Sequence, residues 1–202
     1  MNAWAWSALV LHLGWAGFAF GIRAVIQRRR TGDAGFRGIS GRPGEASWWA
    51  GALFAAALLG GAAAPVAALA GLPTFEGGKP LHATGLALTV AGTALTTAAQ
   101  MAMGASWRVG VDGGERTALV TSGVFAHVRN PVFTAMAVTA LGLGLMVPNV
   151  IAGAALVALI AAVQLQVRVV EEPYLASVHA DDYAAYSAGT GRFLPGLGRR
   201  TA

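Results

Sequence analysis

Residues 130–167 decide the fold, and they read NPVFTAMAVTALGLGLMVPNVIAGAALVALIAAVQLQV. This stretch lies between Arg129 and Arg168 and contains no charged side chain. As one helix it would be close to 60 Å long at about 1.5 Å per residue, far more than the ~30 Å hydrocarbon core of a bilayer. Pro148-Asn149 lies near its middle, and proline disfavours helix at the residue before it. The stretch therefore predicts a helical hairpin, with spans at about residues 131–147 and 150–169.

Three further stretches without Asp, Glu, Lys or Arg precede the hairpin, at residues 1–22, 46–75 and 80–107. A helix needs about 20 apolar residues to cross a bilayer. Each stretch therefore predicts one span, at about residues 3–26, 48–71 and 82–103. The first apolar run has no basic leader before it, so we expect this helix to be retained and not cleaved as a signal peptide.

The composition supports a membrane protein. Only 11% of the residues are charged and 55% are hydrophobic, whereas a soluble domain carries about 25% charged residues. We expect an all-α integral membrane fold with about five transmembrane helices and an amphipathic C-terminal helix in the cytosol. Residues 1–103 would form a three-helix membrane segment and residues 104–202 the hairpin with a cytosolic segment, in one integrated domain.

Basic residues predict the orientation. Lys79 alone falls on one side of the predicted spans, and all other basic residues fall on the opposite side: Arg23, Arg28, Arg29, Arg30, Arg37, Arg42, Arg108, Arg116, Arg129, Arg168, Arg192, Arg199 and Arg200. Because basic loops stay in the cytoplasm, we expect a multi-pass protein with its N-terminus outside and its C-terminus cytoplasmic. The net charge of +5 is spread over three loops, which favours lipid headgroups over nucleic acid as the partner.

Residue types also exclude some chemistry. The chain has no cysteine, which excludes disulfides, thiolate metal sites and a cysteine nucleophile. Its four histidines are scattered without paired spacing, so we expect no metal site. Pairs of small residues, Gly17 with Gly21 and Gly85 with Gly92, predict close helix packing within the chain.

Polar residues concentrate in two segments that flank the hairpin, residues 100–133 and 166–195. A hairpin returns the chain to the membrane face where it began, so Arg129 and residues 168–172 should meet there. Carboxylates at a membrane boundary are costly and are usually paired or functional. The helical spacing of Arg168 and Glu172 allows a structural salt bridge, and a functional site is the open alternative.

These segments carry a compound pattern: Gly123 with Phe125, Arg129-Asn130-Pro131-Val132-Phe133, the hairpin, Glu171-Glu172, Tyr183 with Tyr186, and Arg192-Phe193-Leu194-Pro195. In order and spacing it resembles the isoprenylcysteine carboxyl methyltransferase family, a broader group that also includes phospholipid methyltransferases. The resemblance covers roughly the last 100 residues. Asn130 and Phe133 stand where many members have His and Tyr. Asn cannot act as an acid or base near neutral pH, and His127 is the candidate to compensate.

The resemblance implies methyl transfer from S-adenosyl-L-methionine at the cytosolic membrane face, to a lipophilic or small acceptor that enters from the bilayer. It implies twelve cofactor-binding residues: Gly123, Phe125, His127, Arg129, Asn130, Pro131, Phe133, Glu171, Glu172, Tyr183, Tyr186 and Arg192. Arg129 would hold the cofactor carboxylate, and Glu171 or Glu172 would accept hydrogen bonds from the ammonium or ribose hydroxyls. Aromatic rings would stack on adenine or face the sulfonium.

Arg129 and Glu171 are the candidate catalytic residues, with Glu171 as the base if the acceptor arrives protonated. Two alternatives stay open. Sterol reductases are similar to this family in their C-terminal half and bind a nicotinamide cofactor, although their chains are typically longer. A non-enzymatic membrane protein of the same fold is the other. The sequence does not decide the oligomeric state.

Overall fold

The computed structural model describes residues 2–35, 38–108 and 118–200, and this part of the chain is helical without any β-strand. Its five long helices are α1 Asn2–Thr31, α2 Ala46–Leu69, α3 Gly78–Ala102, α4 Pro131–Met146 and α5 Val150–Gly189. Two short 3₁₀ helices, Gly104–Ser106 and Gly123–Ala126, lie between α3 and α4. The predicted all-α fold is confirmed. Arg37 and Arg116, which contributed to the predicted orientation, lie outside the described residues.

The helices form a membrane protein. By length and composition, α1, α2 and α5 can each cross a bilayer, and α4 is a shorter apolar helix. The remaining helix, α3, has 25 residues but a less apolar composition. Large apolar side chains point outward, with Val10 65%, Leu59 73% and Val157 69% exposed. Such a surface is typical of contact with lipid, so the chain is a multi-pass membrane protein. The side on which each terminus lies remains a prediction.

The predicted hairpin is confirmed at Pro148-Asn149, where α4 ends and α5 begins. Asn149 is 2% exposed, and its side chain caps α5 by accepting a hydrogen bond from the backbone N–H of Ala152 at 2.9 Å. Its Nδ2 donates to the carbonyl of Ala64 in α2, also at 2.9 Å. The turn is therefore held both by its own helix and by a neighbouring one.

Close packing of α3 on α4 depends on glycine. A Cβ atom at Gly85 would lie 2.6 Å from the carbonyl oxygen of Gly142, and one at Gly92 would lie 2.6 Å from the backbone nitrogen of Thr139. The predicted packing role of Gly85 and Gly92 is confirmed, because any larger residue would push the helices apart. The same prediction is wrong for Gly17 and Gly21 of α1, where a Cβ atom would have no described atom within 4 Å.

We expected a membrane span followed by a separate C-terminal helix. The helical segment α5 runs from Val150 through Pro173 to Gly189, but non-helical backbone at Ala180 divides it into two helices. A π-helical turn at Gln166–Glu171 precedes the proline, and the helix kinks at Ala180, which has φ 37°. Residues 181–189, beyond the kink, therefore form a separate C-terminal helix.

Candidate active site

A cavity of about 620 Å³ lies among the helices, within the ~300–1,000 Å³ typical of small-molecule sites. Residues from all five helices form its wall. One part of the wall is apolar and includes Phe54 and Leu58 of α2 and Met136 of α4. Another part carries polar side chains from the two ends of the hairpin, including Asn130 and Glu171. The cavity therefore extends from the apolar interior to the polar ends of the hairpin.

Glu172 is the centre of a buried ionic network. Arg192 forms a bidentate pair with it, through Nε to Oε1 at 2.7 Å and Nη2 to Oε2 at 2.9 Å. Arg129 Nη2 donates to Oε1 at 3.0 Å, and Arg129 and Glu172 are each 6% exposed. Burial raises the pKa of Glu172, but the hydrogen bonds from both arginines outweigh it, and the net pKa is lowered. Glu172 therefore stays ionised and joins α5 to the chain segments before α4 and after α5.

The salt bridge between Arg168 and Glu172, one of the two alternatives left open by their helical spacing, is not present in the structure. Arg168 is exposed, and its Nε donates instead to Oε1 of Gln164 at 2.7 Å. Arg192 and Arg129 occupy the carboxylate oxygens of Glu172. The spacing along the helix allowed the pair, but the tertiary partners of Glu172 are better placed.

The guanidinium of Arg129 is mostly engaged within the protein. Its Nη1 donates to the carbonyls of Ser187, at 3.0 Å, and of Thr190. Its Nη2 donates to the carbonyl of Gly198 at 3.0 Å, in addition to Glu172. Nε is buried and has no hydrogen-bond partner among the described residues. Arg129 was predicted to hold a cofactor carboxylate; this geometry leaves it one N–H for a ligand, because the others organise the C-terminal segment.

Residues 190–200 pack against the start of α4. The backbone N–H and the Nδ2 of Asn130 both donate to the carbonyl of Arg192, each at 3.1 Å. Thr134 Oγ1 donates to the carbonyl of Phe193 at 2.8 Å. The amide nitrogen of Asn130 thus has a structural partner. Its Oδ1 is the side-chain atom that can still bind a ligand in the cavity, whose wall includes Asn130.

Glu171 lies in a different environment from its neighbour Glu172. It lines the cavity, beyond the apolar part of α5 that ends before Arg168. Burial raises the pKa of Glu171 to about 7, although a 3.2 Å hydrogen bond from Gln166 and the charge of Arg108 oppose the shift. The two adjacent carboxyl groups therefore have pKa values on opposite sides of the ordinary 4.5. Such a pair can divide its roles, one fixed as an anion and one able to exchange a proton near neutral pH.

Two tyrosines of α5 complete the polar part of the wall. The hydroxyl of Tyr186 donates to the carbonyl of Phe125 at 2.6 Å, and its ring centroid lies 6.4 Å from that of Tyr183. Burial raises the pKa of Tyr186 to about 12, so its hydroxyl stays protonated and remains a donor. Both rings line the cavity together with Phe125 and Phe133.

Two π-helical turns border the cavity. The turn Gly17–Ile22 in α1 contributes Phe20 to the wall, and the turn Gln166–Glu171 in α5 contributes its first and last residues. A π-helical turn interrupts the regular hydrogen-bond ladder of a helix and is frequent at functional sites. Neither turn was predicted, because the apolar pattern of a span does not report its local hydrogen bonding.

The structure brings most of the predicted site together. Nine of the twelve predicted residues line the cavity: Phe125, Arg129, Asn130, Pro131, Phe133, Glu171, Glu172, Tyr183 and Tyr186. Arg192 lies outside the wall and contacts Glu172. Gly123 and His127 are exposed and do not reach the cavity. His127 Nδ1 lies 3.3 Å from the carbonyl of Gly123, so the structure does not place its imidazole where it could compensate for Asn130.

Sequence reasoning missed part of the wall. Gln100, Trp107, Arg108 and Tyr174 line the cavity, as do several residues of α2. Arg108 lies over the ring of Tyr174, with 5.3 Å from its Cζ to the ring centroid. An amide near the end of an otherwise apolar span is a signal that could have found Gln100. The α2 residues are small or apolar, and nothing in their pattern separates a cavity wall from a lipid-facing surface.

Comparison with known families agrees with this geometry. The phospholipid methyltransferase family model matches residues 80–182, just over half of the chain. The matched region runs from α3 to the second half of α5, and so contains the hairpin and both of its polar ends. A search of curated proteins gives no match. The matched family does not favour the reductase alternative. The chain belongs to the phospholipid methyltransferase family, and this membership implies a membrane methyltransferase.

Proposed function

We propose that this protein transfers a methyl group from S-adenosyl-L-methionine to a lipophilic or small acceptor at the cytosolic face of the membrane. The observation that carries the proposal is one cavity whose wall joins Glu171 and Asn130 to apolar residues of α2 and α4. A polar cofactor suits the part of this cavity that is lined by Glu171 and Asn130. An apolar acceptor suits the part lined by α2 and α4, and the family resemblance implies that it would enter from the bilayer.

The polar groups of the wall fit this cofactor. Nε of Arg129 is a buried donor without a partner among the described residues, and a cofactor carboxylate would satisfy it. Glu171 offers carboxylate oxygens to an ammonium or a ribose hydroxyl. The rings of Phe125 and Phe133 could contact adenine or a sulfonium. The bound cofactor would supply an electrophilic methyl group on its sulfonium.

The chain itself would contribute alignment, exclusion of water and one titratable group. Holding two reactants in line inside a dry cavity can supply much of the acceleration of a displacement reaction. The pKa of Glu171, about 7, suits a group that takes a proton from an acceptor near neutral pH. Asn130 cannot take that role, because its amide does not titrate in this range.

Binding of S-adenosylhomocysteine, the demethylated cofactor, tests the proposal most directly. We expect it to raise the melting temperature of the purified protein, whereas NADPH should not. Arg168 is exposed and lies outside the cavity wall. The variant Arg168→Ala should therefore show the same rise in melting temperature as the wild-type protein. A melting temperature that rises with NADPH and not with S-adenosylhomocysteine would favour the reductase, and no response to either would favour a non-enzymatic protein.

Methyl transfer tests the role of Glu171. Incubating cofactor labelled in its methyl group with a membrane extract should yield a labelled lipid-soluble or small product. If Glu171 accepts a proton, the rate should rise as the pH passes through about 7, the pKa of this group. Glu171→Gln should then lower turnover at saturating cofactor and flatten this profile. Unchanged turnover in this variant would remove Glu171 as the base.

A further inference from the structure

Gln100, near the end of α3, is a buried amide that the ionic network around Glu172 does not use. The residue is 1% exposed and lines the cavity. Its Nε2 donates to the carbonyl of Ala19 in α1 at 3.1 Å. Its Oε1 is buried and has no hydrogen-bond partner among the described residues. Buried polar atoms almost always have a hydrogen-bond partner. We therefore expect Oε1 to accept a hydrogen bond from a donor outside the described residues.

The orientation of this amide is determined by its neighbours. Rotating it by 180° would place Oε1 against the carbonyl oxygen of Ala19, and two acceptors would then face each other. Ala19 lies within the π-helical turn Gly17–Ile22 of α1. The backbone carbonyl of Gln100 is also engaged, by Nη2 of Arg23 at 3.4 Å. Nε2 is therefore the atom that contacts α1, and Oε1 is the atom that remains an acceptor.

No donor of the described residues is hydrogen-bonded to Oε1. Phe20 and Met103, which line the cavity and are close in sequence to Ala19 and Gln100, carry no hydrogen-bond donor in their side chains. Nε of Arg23 and Nε1 of Trp15 are also buried without a partner among the described residues, but neither residue is in the cavity wall. The other nitrogens of Arg23 are held by Gln27 at 3.2 Å and by the carbonyl of Gly104 at 2.7 Å. A donor can therefore reach Oε1 most directly from a molecule in the cavity.

We propose that Gln100 is a specificity-determining residue, whose Oε1 accepts a hydrogen bond from an N–H or O–H group of the methyl acceptor. This role rests on the proposed methyltransferase function. A ligand that presents only acceptor atoms at this point, such as an ether, an ester or an ionised carboxylate, would leave Oε1 unsatisfied or repel it. A site built to hydrogen-bond a substrate group discriminates strongly against analogues that lack it. The acceptor class is then a lipophile with a hydroxyl or amine.

Two matched probes test this role even while the natural acceptor is unidentified: dodecan-1-ol, which has an O–H donor, and 1-methoxydodecane, which has none. Binding is measured on the full chain in phosphatidylcholine nanodiscs, with empty nanodiscs subtracted. A net hydrogen bond between neutral groups corresponds to about three- to tenfold in affinity. We expect wild-type protein to prefer the alcohol by this factor, and Gln100→Met to bind both probes equally.

Thr97→Val is the control on the same helix. Thr97 is half-buried, donates to the carbonyl of Thr93 in its own helix at 3.0 Å, and lies outside the cavity wall. This variant should keep the preference for the alcohol. Gln100→Leu, a second test variant of similar size, also lacks the acceptor oxygen and should lose the preference, so the role stays testable even if Gln100→Met does not fold.

Two outcomes would overturn the role of Gln100: an alcohol preference that survives Gln100→Met, or no saturable binding of either probe to the wild-type protein. S-adenosylhomocysteine binding in the same samples separates this result from the proposed function. If the wild-type protein prefers the alcohol but does not bind S-adenosylhomocysteine, the proposed methyltransferase function is refuted. The hydrogen bond to Oε1 of Gln100 is then still supported. Cofactor binding without any alcohol preference would refute the role of Gln100 alone.

Discussion

Replacing Glu172 by glutamine removes the carboxylate that two arginines share while keeping the size of the side chain. Arg129 and Arg192 both donate to Glu172, and the side chains of Arg129 and Glu172 are 2% and 7% exposed. Breaking a buried ion pair on one side costs about 3–5 kcal/mol, because the remaining charge stays buried without compensation. Glutamine keeps one acceptor oxygen, so we expect the lower end, about 3 kcal/mol. This is roughly a 100-fold change in the unfolding equilibrium.

Glu171→Gln is the matched control, because it makes the same change one residue earlier in the same helix. Glu171 accepts a hydrogen bond from Nε2 of Gln166, and burial raises the pKa of Glu171 to about 7 from 4.5. The wild-type protein therefore loses stability as the pH rises from about 4.5 to about 7, since the unfolded state releases this proton first. Glu171→Gln should remove that loss. At pH 8 we expect this variant to be more stable than wild type, and Glu172→Gln to be less stable.

The stabilisation from Glu172 depends on pH in the opposite direction. Its folded pKa is below the ordinary value of 4.5, so its contribution is complete above that pH and is lost as the pH falls below it. The assay is reversible unfolding in mixed micelles, followed by circular dichroism between pH 4 and 8. The reasoning would be refuted if Glu172→Gln unfolded within about 0.5 kcal/mol of wild type at pH 8, the range of ordinary surface substitutions.

Three further predictions concern the scaffold, and the same unfolding assay tests them. Gly142→Ala should destabilise the folded protein by roughly 1–3 kcal/mol through overpacking, because the added Cβ would lie 2.5 Å from the backbone nitrogen of Thr89. The control Gly14→Ala should not destabilise it, because its Cβ would have no described atom within 4 Å. Asn149→Ala should cost about 1–2 kcal/mol, since it removes a helix cap and a buried hydrogen bond. Ala180→Gly should stabilise by about 1 kcal/mol by relieving φ 37°. An equal effect of both glycine substitutions, or a destabilised Ala180→Gly, would contradict these expectations.

Much of the fold could be predicted because it depends on where charge is absent. The hairpin at Pro148-Asn149 follows from a neutral stretch too long for one span, and the structure has it at that point. The small residues Gly85 and Gly92 were correctly expected to allow close packing. The equivalent expectation for Gly17 and Gly21 failed, since spacing alone does not say whether a face meets a helix or lipid.

The candidate site was predicted less completely. The two ends of the hairpin do meet, and Arg129 binds Glu172 at 3.0 Å. Helix spacing allowed Arg168 as a partner of Glu172, which was one of two open alternatives, but Arg192 is its bidentate partner. Gln100 and the residues of α2 were not predicted as part of the cavity wall, because this depends on which face of each helix turns toward the cavity.

The sequence by itself determined which segments are apolar enough for a membrane helix and that the polar segments flanking the hairpin should come together. Burying a charge in hydrocarbon is costly, so uncharged stretches long enough to cross a bilayer are predicted as membrane helices. Only the tertiary structure decided which charged groups pair there. Glu172 binds arginines 43 and 20 residues away, and contacts at such separations depend on how the helices rotate and cross. The same rotation gives Glu172 two arginine partners and leaves Glu171, which also lines the cavity, with Gln166 as its hydrogen-bond donor.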